Sequence, residues 1–582
     1  MKAKLYSIFL LILIILICFG NSLFNGFVYD DRFVILNSPI ITSFQNLPDL
    51  FSHSYFLKTV ELSYRPVVTF SYFIDYFLWG KTAFGYHLTN LLIHILNSII
   101  LFLILCELMN SFVEERDRRL TSVPLFSISF FHIAIIPTLF FAIHPVTTEA
   151  INSISYREDL LATLFVLLSF FLFILFLRKR NSLNIIKERF KNRSLHFYII
   201  LSLISFFFAV FSKESAIVFP LLLFLIIKMK LFDGDEGNYR KSYFCFIPIL
   251  LIFIFYIFIR FYLMNPATYS PDARHYNLYE KLLNFFYLFN HNLRVLIIPL
   301  FLRADYVFNP ASQDTLLNNL IYIISFLLYG FLIFYFIKRN RIVSFGLLWI
   351  FISLLPVSNF IPLINPIADR YLYFPSIGIS FIIMGLVNSI FNASQSVQKG
   401  LSCDYQDDKI DREREGFGSL NKSHYSVFLI TSSIILLWYF YLTVNRNIEW
   451  SDEKLLWKSN LKYEPNSLRA YNGLALIAQA EGDIDKAIEY LKAGLDIKSN
   501  DIKMLNNLGV MYMKKGEWEK AIDTFQGVLN LDPKHPSSHY NLFHCYLTRK
   551  PVDLDKAKYH LGMAESLGYP ITVNDKQKIQ NQ

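Results

Sequence analysis

Charge is scarce in this chain, and cysteine scarcer. Asp, Glu, Lys and Arg together make up 17% of the 582 residues, too few for an ordinary soluble enzyme. The five cysteines stand apart, with Cys18, Cys106 and Cys245 in or beside apolar stretches, so there is neither a disulfide framework nor a CxxC zinc pattern. The glycine patterns of phosphate loops and dinucleotide folds are missing, and so is a GxSxG elbow. This argues against a nucleotide-driven pump and a serine hydrolase. No small-x-small cleavage site follows the apolar run Leu5 to Gly20, and Ile17 precedes Cys18 where a lipoprotein signal wants a small residue. The run is therefore expected to remain as an uncleaved first helix.

Apolar surface is what the chain has in abundance: 54% of residues are hydrophobic and 59 are Phe. About twenty consecutive apolar residues cross a bilayer, and such runs are predicted near 5–24, 86–109, 125–143, 159–177, 196–212, 216–231, 243–263, 316–337, 342–358, 372–391 and 425–444. The fold class expected is all-α: a polytopic membrane domain of about eleven spans over 1–445, then a helical solenoid over 450–582. The net charge of +9 resides in short basic loops such as Arg178-Lys179-Arg180 and Lys338 to Arg341, which set orientation and imply no nucleic acid.

With Lys2 and Lys4 inside, the alternation also places 116–119, 178–193, 228–241 and 338–341 on the cytoplasmic side. It works only if 281–302, interrupted by Asn290, His291, Asn292, Arg294 and Pro299, is re-entrant or interfacial. The outer face then receives 25–85, 144–158, the Lys213-Glu214 corner, 264–315, 359–371 and the C-terminal region. The charged segment 392–424 falls inside and reads as a flexible linker.

From about 467 a 34-residue period appears. Leu474 recurs as Leu508 and Leu542, Gly482-Asp483 as Gly516-Glu517, and Ala487-Ile488 as Ala521-Ile522, the pattern of tetratricopeptide helix pairs. The third copy is irregular, with Lys550-Pro551 in place of the turn glycine. A weaker helical pair is expected at 451–465. The stack would present a groove for peptide or protein, or serve as a spacer or oligomerisation module.

The candidate chemistry lies on the outer face. Asp30-Asp31 is an acidic pair in a loop otherwise poor in charge, suited to deprotonating an acceptor hydroxyl; a solvated turn is the plainer reading. Arg65, Arg157, Lys213 and Arg370 supply cations for an anionic lipid phosphate. His87, Asn90, His94 and Asn97 share one helical face. They serve either as interhelical hydrogen-bond partners or, for His87, as lining of a cleft. His144 and Glu149 must stay near the mouths of two spans, with Glu149 and Arg157 otherwise a cap and a salt bridge. Glu214 and Asp369 complete the set. The two His seven apart make a poor metal site; no metal ligand set is assigned and a divalent ion is left open.

Tyr29-Asp30-Asp31-Arg32, Ser63-Tyr64-Arg65-Pro66, His87-Leu88-Thr89-Asn90 with His94, His144-Pro145-Val146 with Thr148-Glu149-Ala150, Lys213-Glu214 and Arg370-Tyr371-Leu372-Tyr373-Phe374-Pro375-Ser376 occur in that order ahead of the repeats. In this the chain resembles the transmembrane and tetratricopeptide repeat-containing protein family, which is similar to protein O-mannosyltransferases and, more broadly, GT-C membrane glycosyltransferases. The resemblance implies transfer of a sugar such as mannose from a polyprenyl-phosphate carrier to a Ser/Thr hydroxyl at the extracytoplasmic face. It implies one carboxylate of Asp30-Asp31 as base or orienting group. Tyr156-Arg157-Glu158-Asp159 departs from the family's glycine-containing loop, and the repeat array is short. A multi-pass protein of the bacterial inner membrane, repeats in the periplasm, is the favoured setting, with the endoplasmic reticulum membrane as the eukaryotic equivalent. The other readings are a non-enzymatic scaffold whose repeats recruit partners and, third, a transporter.

Overall fold

The computed structural model describes residues 2–52, 54–59, 63–117, 130–181, 193–232, 246–263, 276–310, 314–400 and 408–580. These residues form helices, turns and loops, with no β-strand among them. They divide into two compact units, one of residues 1–302 and 308–452, the other of 303–307 and 453–582.

In the first unit every predicted span contains a helix, but not every helix is long. Among the described residues seven are long and apolar enough to cross a membrane: Lys2–Phe24, Ala83–Ser111, Ile154–Lys179, Ser194–Ser212, Leu316–Arg339, Asp369–Ile390 and Ser426–Glu449. An eighth is the pair Ile133–Ala142 and Pro145–Asn152, bent by 50° where the chain passes His144. Phe246–Tyr262 and Arg341–Val357 are shorter apolar helices, and Phe219–Met229 has only 11 residues. Phe102, Phe170, Trp349, Phe381 and Tyr373 fill the centre of the core at full burial. Small residues let helices touch. A Cβ on Gly346 would lie 2.6 Å from the Gly378 carbonyl, and one on Gly378 would lie 2.7 Å from the Gly346 carbonyl, the close backbone approach that membrane helix pairs use.

Four expectations change. The first outer loop holds an unforeseen helix, Pro66–Trp79, with Pro at its first turn where a missing N–H costs nothing. The loop 144–158 does not lie open: each of its residues is buried, because short helical turns and side-chain bonds such as Thr147 to the His144 carbonyl, 2.7 Å, satisfy its backbone. The helix Asp408–Glu449 begins inside the expected flexible linker, as its run of Arg, Glu and Lys favours. The expected pair at 451–465 is one helix, Glu453–Tyr463. Segment 281–302 forms Leu278–Ile297, closed by an Asn277/Glu280 capping box. It buries Leu283, Asn284, Leu288, Asn292 and Val295 on one face and leaves Tyr279 and Ile297 exposed.

The second unit contains three helix pairs, Leu468–Ala480 with Ile484–Ile497, Ile502–Lys515 with Trp518–Leu531, and Pro536–Thr548 with Leu554–Ser566. Gly482 and Gly516 turn the first two at φ +84° and +81°, a conformation that spares only glycine the Cβ penalty. Ala487, Leu491, Met504, Leu508, Ala521, Phe525 and Leu542 form a continuous core. Residues 303–307 belong to this unit. Asp305 takes Ser467 Oγ at 2.7 Å and Arg469 at 3.0 Å, its backbone N–H reaches Asn460 at 2.9 Å, and Arg303 pairs with Glu464 at 2.6 Å.

Candidate functional site

The acidic pair sits on a turn in which Tyr29 has φ +56°, a left-handed backbone that a non-glycine residue adopts at some cost. This turn points the two carboxylates differently. Asp31 is fully buried and accepts from the backbone N–H of Ser155 at 2.7 Å and of Val28 at 3.2 Å, and from Ser153 Oγ at 3.3 Å. Burial pushes its carboxyl up to about 6 despite those donors. Asp30 stays half-buried, and one of its oxygens accepts the Tyr156 hydroxyl at 2.9 Å. Asp31 thus pins the turn to the segment 153–155, and Asp30 is the more exposed carboxylate of the two.

From Tyr156 the contacts run on without a break. Arg370 lies 3.8 Å above the Tyr156 ring and 5.1 Å from that of Tyr371. Its Nη1 and backbone N–H hold the two oxygens of Glu149 at 2.6 and 2.7 Å. Lys213 lies 5.5 Å from the centre of the same Tyr371 ring and binds Asp159 at 2.6 Å and Glu158 at 3.7 Å. Glu158 pairs with Arg65 at 2.8 Å, and Arg65 reaches both oxygens of Glu214 at 3.4 Å. Arg260 approaches the same carboxylate at 3.9 Å. Burial alone would raise the Glu214 carboxyl, but Arg65 and Arg260 outweigh it and hold it near 2. Asp30, Glu149, Lys213, Glu214, Arg65 and Arg370 are thereby brought into one network.

Besides Asp31, the four remaining predicted residues stand in the frame around it. Arg157 has no exposed surface. It gives Nε to Asn90 at 2.7 Å, Nη1 to Ser71 at 3.1 Å and Nη2 to the Tyr86 carbonyl at 3.1 Å, and pairs with Asp75 at 2.5 Å. That engagement corrects the expectation of a phosphate ligand: its donors are committed inside the protein. His144 is also fully buried, with Nε2 3.0 Å from the Leu296 carbonyl and Nδ1 accepting from Val146, so it caps the bend and lines no cleft. His87 is buried too, 3.4 Å from the Gly26 carbonyl, and Asp369 lies 3.9 Å from Arg446. The polar stripe of Ala83–Asp117 is likewise interhelical. His94 and Asn97 both meet the Tyr373 hydroxyl, at 2.8 and 3.0 Å.

Sequence reasoning missed several members. Tyr156, Glu158 and Asp159 stood in a quoted motif without a role; Tyr371 likewise. Arg260 lies inside a predicted span, where a charged residue is itself the signal, and Asp75 interrupts an apolar run in the same way. Among the described residues no three His, Cys, Asp or Glu side chains group as a metal site.

A tetratricopeptide repeat family model matches residues 478–542. The homologues of the chain are named protein O-mannosyl-transferases. TMTC3 of Homo sapiens is 25% identical over 533 residues, 84% of this chain and 51% of that protein. TMTC4 of Homo sapiens is 25% identical over 524 residues, 82% and 64% respectively, and F38B6.6 of Caenorhabditis elegans 26% over 387 residues, 64% and 50%. The chain thus spans between half and just under two thirds of the length of these curated relatives. A solved structure, the APC/C hetero-tetramer Cut9-Hcn1, aligns at 14% identity over 78% of this chain and 92% of that one with a TM-score of 0.21, a score from which nothing about the fold follows.

Proposed function

We propose that this membrane protein transfers a sugar, mannose by the names of its homologues, from a polyprenyl-phosphate carrier to a Ser or Thr hydroxyl of a protein at the extracytoplasmic face. The observation that carries the reading is the pairing of a half-buried carboxylate, Asp30, with an unbroken chain of cations and carboxylates from Arg370 to Arg260. Asp30 takes the proton of the acceptor hydroxyl as its oxygen attacks the anomeric carbon. The sugar–phosphate C–O bond breaks in the same displacement, the anomeric centre inverts, and the polyprenyl phosphate leaves with the electron pair. Tyr156 orients Asp30, and Asp31 keeps the turn in place; both are positioning residues. Burial of the cations Arg370 and Lys213 strengthens the positive field available to the leaving phosphate as it gains charge, and Glu149 holds Arg370 in place. The tetratricopeptide repeats supply the surface for a protein acceptor.

General-base help contributes about 10²–10⁴-fold. Full-length protein incubated with a panel of radiolabelled polyprenyl-phosphate sugars and a Ser/Thr peptide should move one label to peptide. Asp30→Asn should lose turnover by about that factor with insertion and folding intact. Normal transfer by Asp30→Asn removes the mechanism, and no transfer from any donor leaves the scaffold as the function.

A further inference from the structure

The third helix pair of the repeat unit carries a polar contact in its interior that the first two lack. His539 of Pro536–Thr548 and His560 of Leu554–Ser566 are 3% and 6% exposed, and their Nδ1 atoms stand 2.9 Å apart. Counted from Leu542 and Ala557, the same two positions hold Tyr471 and Tyr490 in the first pair and Leu505 and Thr524 in the second. None of those titrates near neutral pH. The hydrogen bonds also fix where the protons of the two rings sit. His539 Nε2 is 3.1 Å from the Pro533 carbonyl, which only accepts, so this nitrogen carries a hydrogen. Neutral His539 is left with a bare Nδ1, and His560 Nδ1–H donates to it. A first added proton has only His560 Nε2 to go to. A second would put a hydrogen on both Nδ1 atoms, and the bond that joins the two helices becomes a clash between two imidazolium rings.

The surroundings oppose even the first of those protons. Lys556 lies one turn before His560 on the same helix. Tyr546 stacks on the His560 ring at 5.6 Å and 6°, Tyr559 meets it edge-on at 5.1 Å, and Arg549 and Lys556 stand 4.9 and 5.3 Å from the centre of the Tyr546 ring. The carboxylate at the start of that helix, Asp553, is taken up by Arg549 at 3.2 Å and Lys556 at 3.4 Å. From the neighbouring elements, Asn506 of Ile502–Lys515 meets Ser538 at 3.2 Å, Asp532 accepts the Lys534 N–H at 3.1 Å, and Asp575 of Val573–Gln580 lies 3.9 Å from His544. His535 caps the helix of His539, its Nδ1 accepting the Ser538 N–H at 3.2 Å. Among the described residues neither His539 nor His560 is paired with a carboxylate, as His544 is. Burial above all, then His539 and Lys556, lower the His560 imidazole to about 4.

We propose that His539 and His560 form a proton-sensitive catch in the repeat unit: near neutral pH their N–H···N bond closes the third helix pair, and in acid the rings take up protons and the pair opens. The inference concerns the repeat unit alone and stands whether or not the chain transfers a sugar. Its sign follows from His560, which binds its proton less readily in the closed pair than in the open chain. The closed state is therefore at full stability above about pH 6.5 and loses it as pH falls from there toward about 4. Through this one ring, opening should become about tenfold more frequent between about pH 7.5 and about pH 5.5.

Hydrogen–deuterium exchange of the full-length protein in phosphatidylcholine nanodiscs reads such opening segment by segment, with labelling times scaled for the slower intrinsic exchange in acid. The amides of 536–566 should open more often at the lower pH by the factor given, while those of 484–497 and 502–531, stretches without histidine, should not. His560→Asn keeps an N–H donor for His539 Nδ1 but does not titrate, and should flatten the response of 536–566. Two other histidines flank the pair, so His535→Asn, which keeps a helix cap, and His544→Asn serve as controls; both should retain the full response. Equal opening of 536–566 at the two pH values in the wild-type protein overturns the inference, and that comparison decides even if His560→Asn does not fold. A full response in His560→Asn, or its loss in either control, overturns it as well.

Discussion

In the membrane unit Asp31, Arg157, Glu149 and Lys213 are each less than a tenth exposed, whereas in the repeat unit the pairs Lys515–Asp485 and Lys454–Glu481 hold their charges at 33–79% exposure. The repeat unit builds its core from Ala, Leu, Met and Phe and carries most of its charge on its surface. The membrane unit threads ionised and amide groups between helices, as with Asn25 to Asn152 at 2.8 Å and Asn152 to Asn447 at 2.7 Å. Lipid offers no hydrophobic reward for helix association, so polar bonds and small residues specify which helices meet. Charges held inside in that way do not arise from packing alone, and through Tyr156 and Arg370 one chain of them reaches Asp30.

The sharpest break of this contrast is Arg157→Leu. It leaves Asp75 buried and unpaired, and should cost about 3–5 kcal/mol or abolish accumulation in the membrane, as read by thermal unfolding in detergent. Arg157→Leu with Asp75→Leu should recover part of that loss. An unchanged melting temperature in the single variant would mean the clamp holds nothing.

Next comes pH. The Asp31 carboxyl, normally near 3.8, is raised to about 6 in the folded protein by burial, so the folded state favours the proton. Its relative stabilisation is full below about 4 and fades as pH rises through about 6; acidifying from pH 7 to 5 therefore costs no stability through this group. Turnover is expected to fall over the same interval, because a protonated Asp31 anchors the Ser155 and Val28 N–H groups less firmly. Asp31→Asn should remove that acid limb. Parallel loss of turnover and melting temperature in acid would contradict the separation.

A smaller effect is expected in the second unit. Asp305→Ala deletes the bonds to Ser467 and Arg469 and should cost about 1–2 kcal/mol, seen as earlier proteolysis within 453–480. Smallest of all is Lys515→Ala on the exposed surface, for which no change in the repeat unit's melting is expected. A loss there comparable to that of Asp305→Ala would erase the distinction between the two units.

Sequence reached the repeats almost completely, because a 34-residue period places Leu474, Leu508 and Leu542 without any knowledge of partners, and the family model falls on the same region. Apolar runs located the helices, although not their described lengths: among the described residues Phe219–Met229 and Phe246–Tyr262 are short apolar helices. The acidic pair and most of the cations were visible as residue types. Their division of labour was not, since Asp30 and Asp31 are neighbours in the chain and differ only in what segment 153–156 brings to them.

By itself, then, the sequence determined that this is an all-helical membrane protein with a short tetratricopeptide array, and which side chains are costly enough in an apolar chain to require a reason. Those are local properties, set by run length, period and composition. Only the tertiary structure decided that Arg157 is a clamp, that His144 caps a bend, that 144–158 is buried, and that Arg260 meets Arg65 across Glu214. Each of those facts depends on partners from other segments, such as the 93 residues separating Arg65 from Glu158 or the 221 separating Glu149 from Arg370. Burial, which sets the strength of every charge here, exists only once those segments have met.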